Sequence, residues 1–417
     1  MSDPKISLER RRFLQGAGAA ALAAFLAGCG LPAAATPTAR PDARRTTPPT
    51  PPDRSFSPTP TATPTPTATL PETFQSPLDS PLQPTVGPEP PTATPEPSPT
   101  PPPTPFPAGP PTKLGLFVAW YHPQIMDLIA TGNVAILKTL EFDPNFLADV
   151  KARSPDTLIV GRTPLGQLNL GGADPVAEAH RAVEKVLPLA LDERRAGLVD
   201  AWEGFNEPLP GDEGQMQRLA DLEAERVRLL AARGLRAVIG NFGTGQPPLE
   251  WWPAFRSALE AAQTHDGYLG LHEYAAPTIW YHTNRRPLDF RTAPDDEGWL
   301  TLRYRKVYRQ YLRPWGLHLP LLITECGIDG LVTDRPGPPG RGWKDFAAYW
   351  EELGMGRDTA GNYVEQLAWY DAELQLDDQV RGAAIFAMTA FREWESYQLQ
   401  GEAATILQQY LSVHPRK

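Results

Sequence analysis

The sequence predicts an α/β fold, a (β/α)8 barrel of the TIM type, preceded by a disordered linker rich in Pro and Thr. Two observations lead to this prediction. Of the 49 prolines in 417 residues, 28 fall within residues 31–112 and only 20 within residues 113–417, so one folded domain follows a proline-rich segment. Within residues 113–417, short apolar runs alternate with longer amphipathic segments, a pattern typical of a parallel sheet with helical crossovers.

Eight apolar runs are predicted to be the strands of the barrel. They are Leu114–Trp120, Val134–Leu140, Thr157–Arg162, Leu198–Asn206, Ala237–Phe242, Tyr268–Tyr274, Leu321–Glu325 and Gly382–Phe391. Between them, Asp174-Pro175 predicts a helix start, and Gly234 ends the amphipathic run from about Gln215 to Arg233. A doubly wound open sheet is the rival fold. It would normally have fewer strands and a Gly-rich turn after the first one, where this chain has Ala119-Trp120-Tyr121-His122.

Residues 1–29 have the features of an export signal with a lipid site. Arg10-Arg11-Arg12-Phe13-Leu14 precede an Ala/Gly-rich apolar stretch that is too short to span a bilayer. This start resembles a twin-arginine signal, and Leu26-Ala27-Gly28-Cys29 resembles the lipobox of bacterial lipoproteins, whose cysteine receives a diacylglyceryl group. We therefore expect Cys29 to anchor the protein to the bacterial cell envelope, on the extracytoplasmic side. A transmembrane or ordinary cleaved leader with an incidental cysteine is the alternative.

Residues 30–112 are predicted to be a disordered stalk. Repeated Thr-Pro and Ser-Pro steps cannot bury enough apolar surface to offset the entropy of ordering the chain. The net charge of −10 falls on residues 113–417, because residues 1–112 balance eight basic with eight acidic side chains. An acidic domain argues against nucleic acid as a partner.

Two of the predicted strands deliver a glutamate at their carboxyl ends. The fourth ends in Asn206-Glu207-Pro208, and the seventh ends in Thr324-Glu325. Functional side chains of such a barrel come from these strand ends, and strands four and seven lie on opposite sides of an eight-stranded ring. The two carboxylates can therefore face each other across the mouth, as cleavage of a glycosidic bond requires.

The Asn-Glu-Pro ending of strand four, with a glutamate ending strand seven, resembles the clan A glycoside hydrolases, which are retaining enzymes on a TIM barrel. The resemblance implies that Glu207 is the acid/base, that Glu325 is the nucleophile, and that Asn206 hydrogen-bonds the sugar 2-hydroxyl. The end of strand six resembles the His-x-Tyr pair of cellulase-like members. This pair implies that Tyr274 orients the nucleophile. His272 could be a polar residue near the sugar, as we expect, or a metal ligand.

The sequence departs from glycoside hydrolase family 5 at two substrate-binding positions. The arginine of that family ends the second strand, whereas here the second strand ends in Lys138-Thr139-Leu140-Glu141 and Arg162 ends the third. Its strand-eight tryptophan is also missing from the expected place. We expect Phe391 or Trp394 to substitute for it.

Aromatic residues are frequent in the predicted loops at the barrel mouth. Trp120, Trp280 and Trp343 are candidates for stacking on sugar rings, whereas Trp251 and Trp252 are expected to pack in the core.

Three further polar residues near the strand ends are expected to have structural roles. Glu203 is expected to be a paired carboxylate in the barrel interior. Glu273 and Cys326 follow inward-facing neighbours, so alternation directs both toward the helices.

The sequence as a whole predicts a surface-anchored retaining glycoside hydrolase that acts on β-linked poly- or oligosaccharides. The alternatives are a barrel that binds glycans without turnover and a transglycosylase. We expect no cofactor, and no metal site because no second His or Asp accompanies His272 at metal-ligand spacing. The expected partners are a carbohydrate substrate and, through the lipid on Cys29, a membrane.

Overall fold

The structure is a computed structural model of the 417-residue chain and describes residues 106–172, 174–283 and 296–416. Cys29 and the predicted leader lie outside these ranges, as do residues 30–105 of the predicted stalk. The strands are β1 (Leu114–Val118), β2 (Ile136–Thr139), β3 (Leu158–Gly161), β4 (Ala201–Glu203), β5 (Ala237–Phe242), β6 (Tyr268–Ala275), β7 (Leu321–Ile328) and β8 (Val380–Thr389). The α-helices are α1 (Pro123–Ile129), α2 (Pro144–Arg153), α3 (Pro175–Ala190), α4 (Glu213–Ala231), α5 (Arg256–Thr264), α6 (Tyr304–Val307), α7 (Ala347–Glu352), α8 (Thr359–Gln375) and α9 (Glu402–Val413).

The strands form a closed parallel barrel in the order β1 to β8, and β8 pairs with β1 to complete the ring. The predicted (β/α)8 barrel is therefore confirmed, and the open sheet is excluded. All eight predicted strands are present. The largest difference in extent is in β4, which ends at Glu203, so Asn206 and Glu207 lie in the turn that follows it rather than in the strand.

Helix boundaries follow local capping chemistry. The Asp174 side chain accepts a hydrogen bond from the Val176 N–H, and Pro175 fills the first position of α3, as predicted. After α4, Gly234 has a φ of 69°, a conformation that glycine adopts without steric cost. Among the described residues, no helix is both long and apolar enough to cross a bilayer.

The folded domain includes seven residues that composition assigned to the stalk. The Gly109 N–H donates to the Val413 carbonyl at 3.0 Å, and the Phe106 ring packs edge-on against Tyr410 with centroids 5.1 Å apart. Residues 106–112 thus run along α9, and the Phe106 side chain packs on that helix.

An apolar layer fills the barrel interior. It consists of side chains from seven strands: Ile136, Val160, Ala201, Val238, Tyr268, Leu322 and Ala384. Lys138, Arg162 and Glu203 come two residues after three of these, so alternation places them on the same inner face, one layer nearer the carboxyl ends. A layer of charged side chains therefore lies on the apolar layer and forms the base of the mouth.

A β-bulge in β7 aims Glu325 into the barrel. Ile323 pairs with Leu271, and Glu325 pairs with the next residue of β6, His272, so Thr324 is an extra residue on β7. Strict alternation from the inward-facing Leu322 would have turned Glu325 outward. The bulge places Glu325 on the inner face instead.

Candidate active site

Glu325 lies at the centre of the charged layer with both carboxylate oxygens bonded. Lys138 Nζ donates to Oε1 at 2.9 Å, and the Tyr274 hydroxyl donates to Oε2 at 2.7 Å. A third donor, Arg162 Nη1, lies 3.5 Å from Oε1. The side chain is only 8% exposed, so these donors replace the water that an ionised carboxylate would otherwise bind.

The donors around Glu325 favour its ionised form. Burial by itself would raise the pKa of Glu325, but His272, Lys138 and Arg162 beside its carboxylate outweigh burial and hold the pKa well below its usual range. Burial and the charge of Glu325 raise the pKa of Tyr274 well above its ordinary value, so its hydroxyl remains a hydrogen-bond donor. Glu325 is thus held as a carboxylate, the form that a nucleophile needs.

Glu207 lies opposite, in the turn after β4. Its backbone has a φ of 43°, a left-handed conformation that is uncommon for a non-glycine residue and marks a constrained position. Its N–H donates to the carbonyl of Asn241 at 3.0 Å, which ties the turn to β5. Glu207 Oε1 lies 2.8 Å from His272 Nδ1, and its side chain is 19% exposed, more than that of Glu325.

The two carboxyl groups are close. One oxygen of Glu207, one nitrogen of His272 and one oxygen of Glu325 all lie within 4.8 Å of one another. Three such atoms could also bind a cation, but Lys138 already contacts the Glu325 carboxylate and Arg162 lies beside it. A metal ion would be repelled by both charges, so the arrangement suits an acid/base pair better than a metal centre.

Arg162 connects the predicted sugar contact to the predicted nucleophile. Its Nη1 donates a hydrogen bond to the amide oxygen of Asn206 and lies beside Glu325 Oε1. Arg162 is therefore placed at the base of the mouth although it ends the third strand rather than the second.

Lys138 is the site residue that sequence analysis did not single out. It is fully buried and lies 3.0 Å from Glu203 Oε2 as well as 2.9 Å from Glu325 Oε1. The expectation that Glu203 is a paired interior carboxylate is confirmed. The available signal was a lysine in the apolar run Ile136-Leu137-Lys138, since a buried ammonium needs an anionic partner.

Two of the predicted sugar-stacking residues are exposed at the mouth. Trp120 is 37% and Phe391 is 38% exposed, and their rings meet edge-on with centroids 5.3 Å apart. Thr389 Oγ1 accepts from the Trp120 N–H at 3.1 Å and donates to its carbonyl at 2.8 Å, so the loops after β1 and β8 are tied together. The pair forms a fixed aromatic surface.

The other loop tryptophans are less accessible. Trp280 is half-buried against Trp369, and Trp394 is 8% exposed beneath the Arg341 guanidinium. Trp343 is turned into the domain, where it stacks on Tyr363 and donates to a backbone carbonyl, so its predicted sugar contact is wrong.

Phe386 on β8 is an aromatic side chain that sequence analysis missed. It packs against Phe117 and Tyr274, with ring centroids 4.9 and 6.1 Å away. Phe386, rather than Phe391 or Trp394, is therefore the β8 aromatic that contacts the tyrosine of the site.

Glu273 points away from the barrel interior, as alternation predicted. Its carboxylate accepts from the backbone N–H groups of Leu302 and Tyr304 and from the Tyr370 hydroxyl. Cys326 is likewise fully buried in the core between barrel and helices.

No protein-family profile and no curated protein sequence matches this chain. Solved structures of similar fold include a GH128 subgroup II endo-β-1,3-glucanase from Sorangium cellulosum, 17% identical with a TM-score of 0.42 over 73% of this chain and 100% of that chain. The Amycolatopsis mediterranei GH128 subgroup I enzyme in complex with laminaritriose is 14% identical, with a TM-score of 0.39 over 72% of this chain and 99% of that chain. Bifidobacterium dentium β-glucuronidase is 14% identical with a TM-score of 0.47, and the match spans 73% of this chain and 47% of the glucuronidase.

Proposed function

We propose that this protein is a retaining glycoside hydrolase that cleaves β-glycosidic bonds of a poly- or oligosaccharide. The observation that carries the proposal is the pair of glutamates at the barrel mouth. Glu325 is held as a carboxylate by buried cations, Glu207 is more exposed, and oxygens of the two lie within 4.8 Å. Retaining glycosidases place their two carboxyl groups about 5–5.5 Å apart, whereas inverting ones need about 6.5–9.5 Å for an intervening water.

In the first step, Glu207 in its acid form protonates the glycosidic oxygen as the bond from that oxygen to the anomeric carbon breaks. Glu325 attacks the anomeric carbon from the opposite face and forms a glycosyl ester. The leaving group departs as a neutral alcohol, and Glu207 is left as a carboxylate.

In the second step, Glu207 takes a proton from a water molecule, whose oxygen attacks the anomeric carbon. The ester bond breaks and Glu325 returns as a carboxylate, stabilised by Lys138, Arg162 and Tyr274. Two inversions leave the anomeric configuration unchanged. Through the family resemblance, Asn206 is assigned to the sugar 2-hydroxyl, and its bond to Arg162 would fix its orientation.

Rescue by azide with an aryl β-glycoside tests the two roles. Glu325→Ala should abolish turnover, because no glycosyl ester can form. Glu207→Ala should still react with an activated aryl glycoside, which needs little protonation, and then accumulate the ester because water lacks its base. Azide needs no base and should restore turnover with a β-glycosyl azide as product.

The control for the rescue is Glu213→Ala, an exposed carboxylate in the first turn of α4, which should behave as wild type. Glycan binding without turnover in the unmodified protein would select the non-catalytic barrel. Transfer to an added sugar in place of hydrolysis would select the transglycosylase.

The proposal includes attachment of the protein to the envelope through lipid on Cys29. The support is the Arg-Arg start, the short apolar stretch and the Leu-Ala-Gly-Cys ending of the leader. Metabolic labelling with a fatty acid should mark the wild type and Cys326→Ser, which removes a buried thiol, but not Cys29→Ser. Equal label in wild type and Cys29→Ser would contradict the lipid anchor.

A further inference from the structure

The Lys138 ammonium contacts three groups at once in the buried layer below the mouth. Its Nζ lies 2.9 Å from Glu325 Oε1, 3.0 Å from Glu203 Oε2 and 3.5 Å from His272 Nε2. An ammonium group carries three protons and has no acceptor. Lys138 can therefore act in these contacts only as a donor or as a positive charge, never as an acceptor.

This geometry determines which nitrogen of His272 carries the proton. A proton on Nε2 would face the Lys138 ammonium, donor against donor, so Nε2 must be the acceptor. In a neutral imidazole the proton then lies on Nδ1, 2.8 Å from Glu207 Oε1. His272 therefore donates to Oε1 of Glu207.

We propose that Lys138 is a positioning residue for both carboxylates: it holds Glu325 ionised by direct contact, and it orients Glu207 by fixing the tautomer of His272. The inference rests on the proposed function and deepens it. Since Oε1 of Glu207 accepts from His272, the catalytic proton of Glu207 lies on Oε2. One lysine thereby keeps Glu325 ionised and determines which oxygen of Glu207 is left to carry the catalytic proton.

Glu203 supplies the second negative charge beside Lys138 and helps to hold its ammonium in place. Neither oxygen of its carboxylate has a hydrogen-bond partner among the described residues, and the ion pair with Lys138 at 3.0 Å is the one that these residues give it. The remaining groups that face Lys138 are the guanidinium of Arg162 on β3, the Tyr274 hydroxyl on β6 and the Phe117 ring on β1, 5.6 Å from Nζ. None of these is an anion, so Glu203 and Glu325 share the ammonium between them.

The test compares the wild type with the double variant Lys138→Met/Glu203→Gln, both as the full chain. Removing Lys138 alone would leave Glu203 buried and unpaired, which risks misfolding, whereas the double substitution removes both charges together. Lys151→Met, which removes a partly exposed lysine paired with Asp200, is the matched control. Circular dichroism and thermal melting establish that each variant is folded.

The first readout is independent of activity. In ¹⁵N-histidine NMR spectra at neutral pH, with His272→Gln used for assignment, His272 of the wild type and of Lys151→Met should carry its proton on Nδ1. In the double variant the signal should move to the Nε2–H form or to a mixture of the two. A proton on Nε2 in the wild type, or an unchanged Nδ1–H form in the double variant, would overturn the proposal.

The second readout is the pH dependence of kcat/KM on an aryl β-glycoside. The lost ammonium contacts Glu325 directly at 2.9 Å, so the pKa of Glu325 should rise. Loss of the Glu203 charge partly offsets this rise, and the acidic limb should move toward neutral pH by at most about 1–3 units. An unmoved acidic limb in the folded double variant would contradict the role of Lys138. Absence of activity in the wild type on every glycoside tested would instead contradict the proposed function, and the tautomer readout would still stand.

Discussion

Glu273 should make the domain less stable as the pH rises toward neutrality. Burial raises the pKa of Glu273 from the ordinary 4.5 to about 7, despite bonds from the Tyr370 hydroxyl and the Tyr304 and Leu302 N–H groups that oppose this shift. Between these values the folded protein keeps the proton that the unfolded chain releases, so each pH unit lowers the free energy of unfolding by about 1.36 kcal/mol. Over roughly 2.5 units the loss is about 3 kcal/mol, complete above about pH 7.

The assay is urea unfolding at a series of pH values from 4.5 to 8, with wild type and Glu273→Gln compared at each pH. The variant cannot ionise at this position, so its free energy of unfolding should lose this part of the pH dependence, and the wild type should fall relative to the variant by about 3 kcal/mol between pH 4.5 and 8. The exposed Glu351→Gln is the control and should run parallel to wild type. Parallel curves for Glu273→Gln, or a wild type that gains stability from Glu273 as pH rises, would refute the reasoning.

Three substitutions at the mouth test its geometry. Tyr274→Phe removes the 2.7 Å hydrogen bond to Glu325, and a hydrogen bond to a charged group contributes about 1.5–3 kcal/mol. The pKa of Glu325 should therefore rise by about 1–2 units, and the acidic limb of the pH–activity profile should move to higher pH by the same amount. Gly243→Ala would place a Cβ 3.1 Å from the carboxyl carbon of Glu207, and the resulting displacement should lower kcat about tenfold at unchanged stability. Trp120→Ala should raise KM for an oligosaccharide about 2- to 10-fold with little change in kcat, since it removes an exposed aromatic face.

Each of these substitutions has a matched control. Tyr268 lies on the same strand as Tyr274, and its hydroxyl contacts Arg236. The pH profile of Tyr268→Phe should match wild type. Gly172→Ala places its Cβ no closer than 3.6 Å to any side chain, and Leu376→Ala removes a 67% exposed apolar side chain beyond α8. Losses in a control equal to those in its partner would mean that the effect is on the fold rather than on the site.

The barrel and the two glutamates could be predicted because they depend on local pattern. Apolar runs define the strands, and strand ends in a parallel barrel meet at one mouth, so Glu207 and Glu325 could be paired although they are far apart in sequence. Their orientations depend on features without a local signal. Glu325 faces inward because of the bulge at Thr324, and Glu207 lies in a turn because β4 stops at Glu203.

The site residues that the sequence predicted wrongly or missed depend on contacts between segments far apart in the chain. The Trp343 indole donates to the carbonyl of Tyr397, 54 residues away, and this contact turns the ring inward. Phe386 on β8 contacts Tyr274 on β6, with β7 between them, from within a strand predicted only as an apolar run. Lys138 was visible as a charge in an apolar strand, but its three partners come from β4, β6 and β7, and only the closed barrel brings them together.

Covalent trapping tests the central claim most directly. The wild type would be incubated with a panel of 2-deoxy-2-fluoro-β-glycosyl fluorides, whose esters hydrolyse slowly, and then digested and mapped by mass spectrometry. We predict a single glycosyl adduct on the peptide that contains Glu325, absent from Glu325→Gln. An adduct on Glu203 or Glu207, or turnover of natural β-glycosides that releases the α-anomer first and forms no adduct, would contradict the account.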